Sequence, residues 1–348
     1  MKAYVLEGIN RLEYKDVETP KVRDGFALVE VKAAGICGSD IPRIFETGTY
    51  HFPTIPGHEF AGVVKEVYDE EYKELVGERV GVFPLIPCRE CSPCKEGKYE
   101  LCRNYNYLGS RCDGGFAEYV LVPIWNLLPL PESVSFQEAA MLEPASVARH
   151  GLSQIGEENI KGRTVCIFGP GTIGLLMAQW ANIFGAAKVL LVGTKDAQKD
   201  LAKQLGFTLF CNSNTEDVQE FVKANTDGEG SDIVVEGVGT ETVLATCLNT
   251  VKPGGTLLLV GNPHGDVKME KAVFWQILRK QLKMYGTWNS AYHGAMESDW
   301  TKTIEAIEKG KLRPAEQITH ELEFTRLQEG LSVMRERKEF YNKIMITR

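Results

Sequence analysis

The chain has 348 residues, 43% hydrophobic and 25% charged, enough for two domains with separate cores. A net charge of −8 repels a nucleic-acid backbone over most of the surface, so nucleic acid is excluded as a partner, and an anionic substrate needs locally placed arginines. The N-terminal MKAYVLEGINRLEYKD alternates like a strand and lacks the charged-then-apolar layout of a signal peptide, making cytoplasm the expected compartment.

Up to about residue 140, short apolar runs (FALVEVKAAGICG, FAGVVKEV, ERVGVFPLIP, FAEYVLVP) alternate with Gly and Pro turns, which predicts a mostly antiparallel, barrel-like β domain. The run Asp69, Glu70, Glu71 with Glu74 reads as a solvated face. Within CRECSPCKEGKYELC, Cys88, Cys91, Cys94 and Cys102 are spaced C-x2-C-x2-C-x7-C. Four thiols so close can converge tetrahedrally on one divalent ion, so the segment is read as a structural zinc lobe in preference to short disulfides.

From about Ala148 the rhythm changes. RTVCIF, KVLLVG, TLFC, DIVVEG and TLLLVG are predicted strands, with helical patterns such as LLMAQWANIF and AQKDLAKQL between some of them, implying a parallel, doubly wound α/β sheet. The apolar region 165–192 is interrupted by Gly169, Pro170, Gly171, Gln179, Asn182, Gly185 and Lys188, so it reads as strand, turn, helix and strand and not as a membrane span. RTVCIF runs into Gly169-Pro170-Gly171-Thr172-Ile173-Gly174 and then a helix, the setting in which glycines let a pyrophosphate approach a helix N-terminus. Where the second strand ends stand Gly193, Thr194 and Lys195. With no carboxylate there to exclude a 2′-phosphate, NADP is expected over NAD. From about Thr287 the chain holds a helical TKTIEAIEKG and a strand-like KIMIT that periodicity assigns to neither domain. His150, His264, His293 and His320 have no evident partners; Trp288 is expected in a core, with Asn289 beside it as an alternative pocket residue.

Cys37 in GICGSD, His58 in PGHEFAG and Glu143 in MLEPASVARHG make a mixed thiolate, imidazole and carboxylate set with an open position, as a catalytic zinc requires. Glu59 is a candidate exchangeable fourth ligand, and Asp40 a candidate acceptor for the second ring N–H of His58.

CGSD at 37–40, GHEFAG at 57–62, the four-cysteine segment, GSRCDGGFAEY at 109–119 and GPGTIG at 169–174 together resemble the zinc-dependent medium-chain alcohol dehydrogenases over essentially the whole chain. Within that family CGSDIPRIFETG, FPTIPGHEFAG and ILRKQLKMYGTWN are most similar to the sugar-alcohol phosphate dehydrogenases. The resemblance implies a GroES-like β-barrel catalytic domain (1–147 and 287–348) with a Rossmann nicotinamide-binding domain (148–286) inserted. It also implies two zinc ions per chain: a catalytic one on Cys37, His58 and Glu143 with Glu59 as alternate ligand, and a structural one on the four-cysteine segment. A homo-oligomer, dimer or tetramer, paired through the Rossmann sheets is implied as well. Three positions depart from the pattern, one of them Tyr68, where a glycine or alanine is expected six residues after Gly62 and which bears on a turn and not on the chemistry. Pro42 replaces a proton-relaying histidine, so Ser39, water or Glu59 must carry the proton, and Gly193 replaces the acidic residue of NAD-linked relatives. Arg43, where sorbitol-type relatives carry an aromatic, is the candidate contact for a substrate phosphate. The expected activity is hydride transfer from a secondary hydroxyl of a polyol phosphate. Alternatives are a dehydrogenase of arabitol phosphate or of a free polyol, a nicotinamide-binding sensor, and a zinc-free quinone reductase; the open metal set argues against the last two.

Overall fold

In the computed structural model, which describes residues 1–294 and 296–348, the alternating FALVEVKAAGI becomes the strand Phe26–Ile36 and organises the first of two units. That unit comprises Met1–Ser146 and Ala291–Arg348. Phe26–Ile36 pairs antiparallel with Glu59–Val67, with Tyr119–Pro123 along its first half, and with Lys343–Thr347 along its last residues. Arg79–Val82 and Leu127–Pro129 extend the sheet on one side, and Ile318–Glu323 lies parallel to Lys343–Thr347 on the other, giving seven strands. KIMIT therefore belongs to this unit. Its core is built from one face of these strands, including Val29, Val31, Phe60, Val64 and Ile344, each worth about 1.5–3 kcal/mol of apolar burial. Register matters at one point: Gly35 stands opposite Glu59, and a Cβ there would collide with the Glu59 carboxylate. The missing side chain at 35 is what lets an ionisable group sit inside the sheet edge.

The second unit, Val147–Ser290, is a six-stranded parallel sheet. Its spatial order is Phe210–Asn212, Lys188–Gly193, Thr164–Phe168, Ser231–Glu236, Val251–Leu259, Lys283–Gly286. The chain thus starts centrally, winds outward one way, then returns to wind the other, as a doubly wound fold does. Five of these strands fall on the five predicted runs; the sixth, KMYG, is a mostly exposed edge that carries no hydrophobic signature. Trp288, just past that edge, is 55% exposed, so the core expected for it is corrected. It follows a strand with a single neighbour, and nothing in its own unit packs over it to that extent. Region 165–192 forms a strand, a turn, the helix Thr172–Ile183 and a second strand, and among the described residues no helix is long and apolar enough to cross a membrane.

Candidate active site: two metal centres and a dinucleotide turn

The four cysteines of the first unit lie with all sulfurs within 4.8 Å of one another, and all are free thiols. Cys88 and Cys94 are 3.9 Å apart, Cys91 and Cys102 3.9 Å, and Cys88 and Cys102 3.5 Å. A tetrahedron with Zn–S bonds of about 2.3 Å has S···S edges of about 3.8 Å, whereas a disulfide closes to about 2.05 Å. The backbone N–H of Cys88 donates to Cys102 Sγ at 3.3 Å. Backbone N–H groups of Arg103 and Cys94 pull the Cys91 thiol down to about 6, while burial pushes Cys94 up to about 12. Several thiolates cannot coexist here without a cation, so the donor set fits a closed zinc shell.

The second centre is assembled from distant segments. Cys37 follows the end of Phe26–Ile36, while His58 and Glu59 open the strand Glu59–Val67. Donor atoms of Cys37, His58 and Glu59 lie within 4.8 Å of one another. Glu143, at the start of the helix Leu142–Ser153, is not one of this tight set; its Oε1 accepts from Tyr107 Oη at 3.2 Å. Burial pushes the Glu143 carboxyl up to about 7, with Glu59 adding to the rise and His58 and Lys343 opposing it. Tyr107 is held well above its usual range, by burial first and then by Glu143.

Asp40 is fully buried. It accepts the Cys37 N–H at 3.0 Å, and its Oδ1 lies 3.4 Å from His58 Nδ1, short of a well-aligned hydrogen bond. His58 is thereby left with Nε2 for a metal. Burial disfavours charge on both residues, yet mutual attraction prevails: Asp40 stays below the usual carboxylate range and His58 well above its own. Ser39 Oγ donates to Cys37 Sγ at 3.3 Å, and Arg43 Nη1 reaches Asp40 Oδ1 at 3.2 Å and Ser39 Oγ at 3.4 Å. Arg43, the candidate phosphate contact, also turns one of its nitrogens inward to a buried acid.

Two residues escaped the sequence reading. Lys343, 3% exposed, donates to Glu59 Oε2 at 2.5 Å and to the Ile36 carbonyl at 3.2 Å. Burial works against its charge, but Glu59 above all holds the ammonium up. Any metal role for Glu59 must therefore be shared with this ion pair. In KIMIT the lysine looks like the solvent-facing member of an alternating strand, and only the register beside Gly35 brings it to Glu59. Tyr107 lies among the tyrosines of NYNY, with no spacing signal; its ring stacks edge-on to His58 at 5.8 Å. Of the histidines without expected partners, His150 Nε2 meets Gln154 at 3.2 Å and His320 Nδ1 meets Thr319 Oγ1 at 3.0 Å.

In the second unit the three glycines of the turn have distinct duties. Gly169 has φ +85°, Gly171 has open space around the Cβ position, and a Cβ on Gly174 would strike the Gly169 carbonyl. Gly171 caps the helix Thr172–Ile183 without a side-chain hydrogen bond, and Thr172, Ile173 and Gly174 form its first turn. That cradle fits a pyrophosphate. Beyond the second strand, Thr194 and Lys195 donate their N–H groups to Gln198 Oε1 at 3.0 and 3.2 Å while both residues stay exposed. A Cβ on Gly193 would meet Phe210 at 2.6 Å and Gln198 at 2.8 Å, so an acidic side chain has no room there as packed.

A β unit with two candidate zinc sets, joined in one chain to a doubly wound unit with a dinucleotide turn, defines a zinc- and nicotinamide-dependent oxidoreductase architecture. Residues 23–132 match the alcohol dehydrogenase GroES-like domain and residues 172–309 the zinc-binding dehydrogenase domain. Galactitol 1-phosphate 5-dehydrogenase of Escherichia coli K12 is 32% identical over 84% of both chains. D-xylulose reductase A of Aspergillus oryzae is 33% identical over 92% of this chain and 90% of that one. Two solved structures each superpose with TM-score 0.90 at 28% identity over 100% of this chain and 99% of the other. One is a zinc-binding dehydrogenase of Sinorhizobium meliloti 1021 bound to NADP, the other a short-chain alcohol dehydrogenase of E. coli CFT073 complexed with NADH. The chain belongs to the zinc-dependent medium-chain alcohol dehydrogenases, with a GroES-like and a Rossmann domain, and is a dehydrogenase of the alcohol and polyol type.

Proposed function

We propose that this enzyme oxidises a secondary hydroxyl of a polyol phosphate, galactitol 1-phosphate to tagatose 6-phosphate, with NADP⁺ preferred over NAD⁺. The observation that carries the reading is the gathering of half-buried Cys37 with buried His58 and Glu59 and with Glu143 beside them, in a chain similar to a galactitol 1-phosphate dehydrogenase. A zinc ion held here would supply a Lewis acid for the substrate hydroxyl, and a bound nicotinamide would supply the hydride acceptor. Cys37, His58 and Glu143 would hold the ion, with Glu59 as alternate ligand, and the four-cysteine lobe would hold a second one. Asp40 fixes the His58 tautomer. Ser39 Oγ, exposed and bonded to Cys37, passes the hydroxyl proton outward where Pro42 stands in place of a relaying histidine. Arg43 retains Nε and Nη2 for a substrate phosphate. Gly169, Gly171, Thr172, Ile173 and Gly174 cradle the pyrophosphate, and Gly193, Thr194 and Lys195 receive the 2′-phosphate.

Homo-oligomerisation is part of the proposal. It rests on the open edge Lys283–Gly286 and on the helix Lys271–Arg279, where Phe274 and Leu278 are 49% and 59% exposed. A reducing, cytoplasmic setting suits a lobe that works as thiolates. The similarity to D-xylulose reductase A favours a second reading, a free-polyol dehydrogenase. Initial rates on galactitol 1-phosphate and free galactitol, each with NAD⁺ and NADP⁺ in zinc-containing buffer, decide between them. Turnover confined to the phosphate supports the proposal; equal or faster turnover of the free polyol overturns it, and a faster rate with NAD⁺ overturns the cofactor preference.

A further inference from the structure

Asp40 is a carboxylate with no exposure, and it touches both an imidazole and the backbone of a thiolate ligand. Left with the imidazole as its sole countercharge, such a group would be an uncompensated buried acid. A second side chain that meets it is Arg43, three residues on, across the helical turn Asp40–Pro42 that continues into Arg43–Thr47. Arg43 Nη1 lies 3.2 Å from the same Oδ1 that faces His58 Nδ1. That nitrogen also lies 3.4 Å from Ser39 Oγ, whose hydroxyl donates to Cys37 Sγ at 3.3 Å. One guanidinium nitrogen thus stands at the head of two short routes, Asp40 to His58 and Ser39 to Cys37. A guanidinium never gives up its charge, so it is a permanent partner for the acid. The pair is not an ordinary surface bridge, since the two side chains are 23% and 0% exposed.

We infer that Arg43 is a positioning residue of the metal centre: it locks Asp40 and Ser39, and through them sets the donor atoms of His58 and Cys37. This rests on reading Cys37 and His58 as metal ligands. It adds to any phosphate contact made by the outer nitrogens of Arg43, because it concerns metal affinity with no substrate present.

The test uses the full-length protein, with zinc content and zinc affinity measured by chelator competition without substrate. In Arg43→Met and the more polar Arg43→Gln, affinity at the Cys37 centre is expected to fall about 10–100-fold while lobe zinc and far-UV dichroism are retained. Arg43→Lys, which can still reach Asp40 with a charge, is expected to recover most of that loss. In an Asp40→Asn background, Arg43→Met is expected to add little, because both changes act on one route. The activity lost in Arg43→Met should return in excess zinc as kcat. Parental zinc affinity in Met and Gln variants that fold, with only KM for the phosphorylated substrate raised, overturns the inference and leaves Arg43 a pure substrate contact. Loss of both zinc ions together also overturns it, in favour of a general structural role. Failure of the underlying reading looks different: parent and Cys37→Ser would then bind the same amount of zinc.

Discussion

The two candidate metal centres of the first unit differ in how their donors are gathered, and the difference separates what a local segment can encode from what a whole sheet must. Cys88, Cys91, Cys94 and Cys102 fall within a single loop, and their sulfurs approach a tetrahedron without help from outside it. Cys37, His58, Glu59 and Glu143 come from three segments and need Asp40, Arg43, Tyr107 and Lys343 to hold or neutralise them. A four-thiolate shell closes on itself and leaves no position for substrate. Glu59 and Glu143 are instead engaged by Lys343 and Tyr107, so an ion at the second set would compete with these partners for its carboxylates.

Four measurements would break or sharpen this contrast. Cys37→Ser is expected to lower kcat about a thousandfold or more, the several kcal/mol a Lewis acid contributes, while one zinc per chain remains in metal analysis. Full turnover in this variant would sink the division between an open and a closed site. Lys343→Met comes next, since it strands Glu59 as a buried, unpaired acid. Chemical denaturation should show about 3–5 kcal/mol of lost stability, and Lys343→Met with Glu59→Gln should be closer to the parent than Lys343→Met alone. Cys94→Ser should cost about 2–3 kcal/mol, roughly 5–10 °C in melting temperature, and remove the lobe ion. The rate per ion left at the Cys37 centre should be unchanged; a collapse of that rate would mean the lobe is not a separate element.

The smallest effect is in pH. The Glu143 carboxyl is raised to about 7 and His58 is raised above its usual range, so both groups bind protons more tightly folded than unfolded. The Glu143 contribution is fully present below the unfolded carboxylate range and is lost as pH rises through about 7, while that of His58 is fully present below the unfolded imidazole range and is lost only as pH rises through its own raised range. Chelator-stripped protein should therefore melt lower at pH 7.5 than at pH 5.5, and added zinc should flatten that slope. A melting temperature that rises over the same interval in the stripped protein would contradict the burial of Glu143 as a proton-holding acid.

How much of this was legible beforehand follows the same division. The lobe could be read from spacing alone because its geometry is local, and the dinucleotide turn because a strand, three glycines and a helix are contiguous. Cys37, His58 and Glu143 could be named as one set by residue type and by family resemblance, but not which of them lie closest together. The tight set contains Glu59, and its neighbour Lys343 is visible only once KIMIT pairs beside Gly35. Trp288 misled because a tryptophan's bulk argues for a core, while its actual place follows an edge strand whose weak pattern KMYG announces nothing. The offset of Arg43 from Cys37 made it a candidate phosphate contact, and nothing in that offset announces the further nitrogen that the turn directs inward to Asp40.

The ion pair between Glu59 and Lys343 joins residues 284 positions apart, and the lysine sits in the last strand of the chain. Protein synthesis runs from the N-terminus, so the four-cysteine segment is made long before the strand Lys343–Thr347, and Glu59 stays without its ammonium partner until that strand emerges and pairs with Phe26–Ile36. The surroundings of the two donor sets are therefore completed in a fixed order along the chain. Deleting Lys343–Thr347 is expected to leave the four-cysteine segment whole and Glu59 without its buried partner.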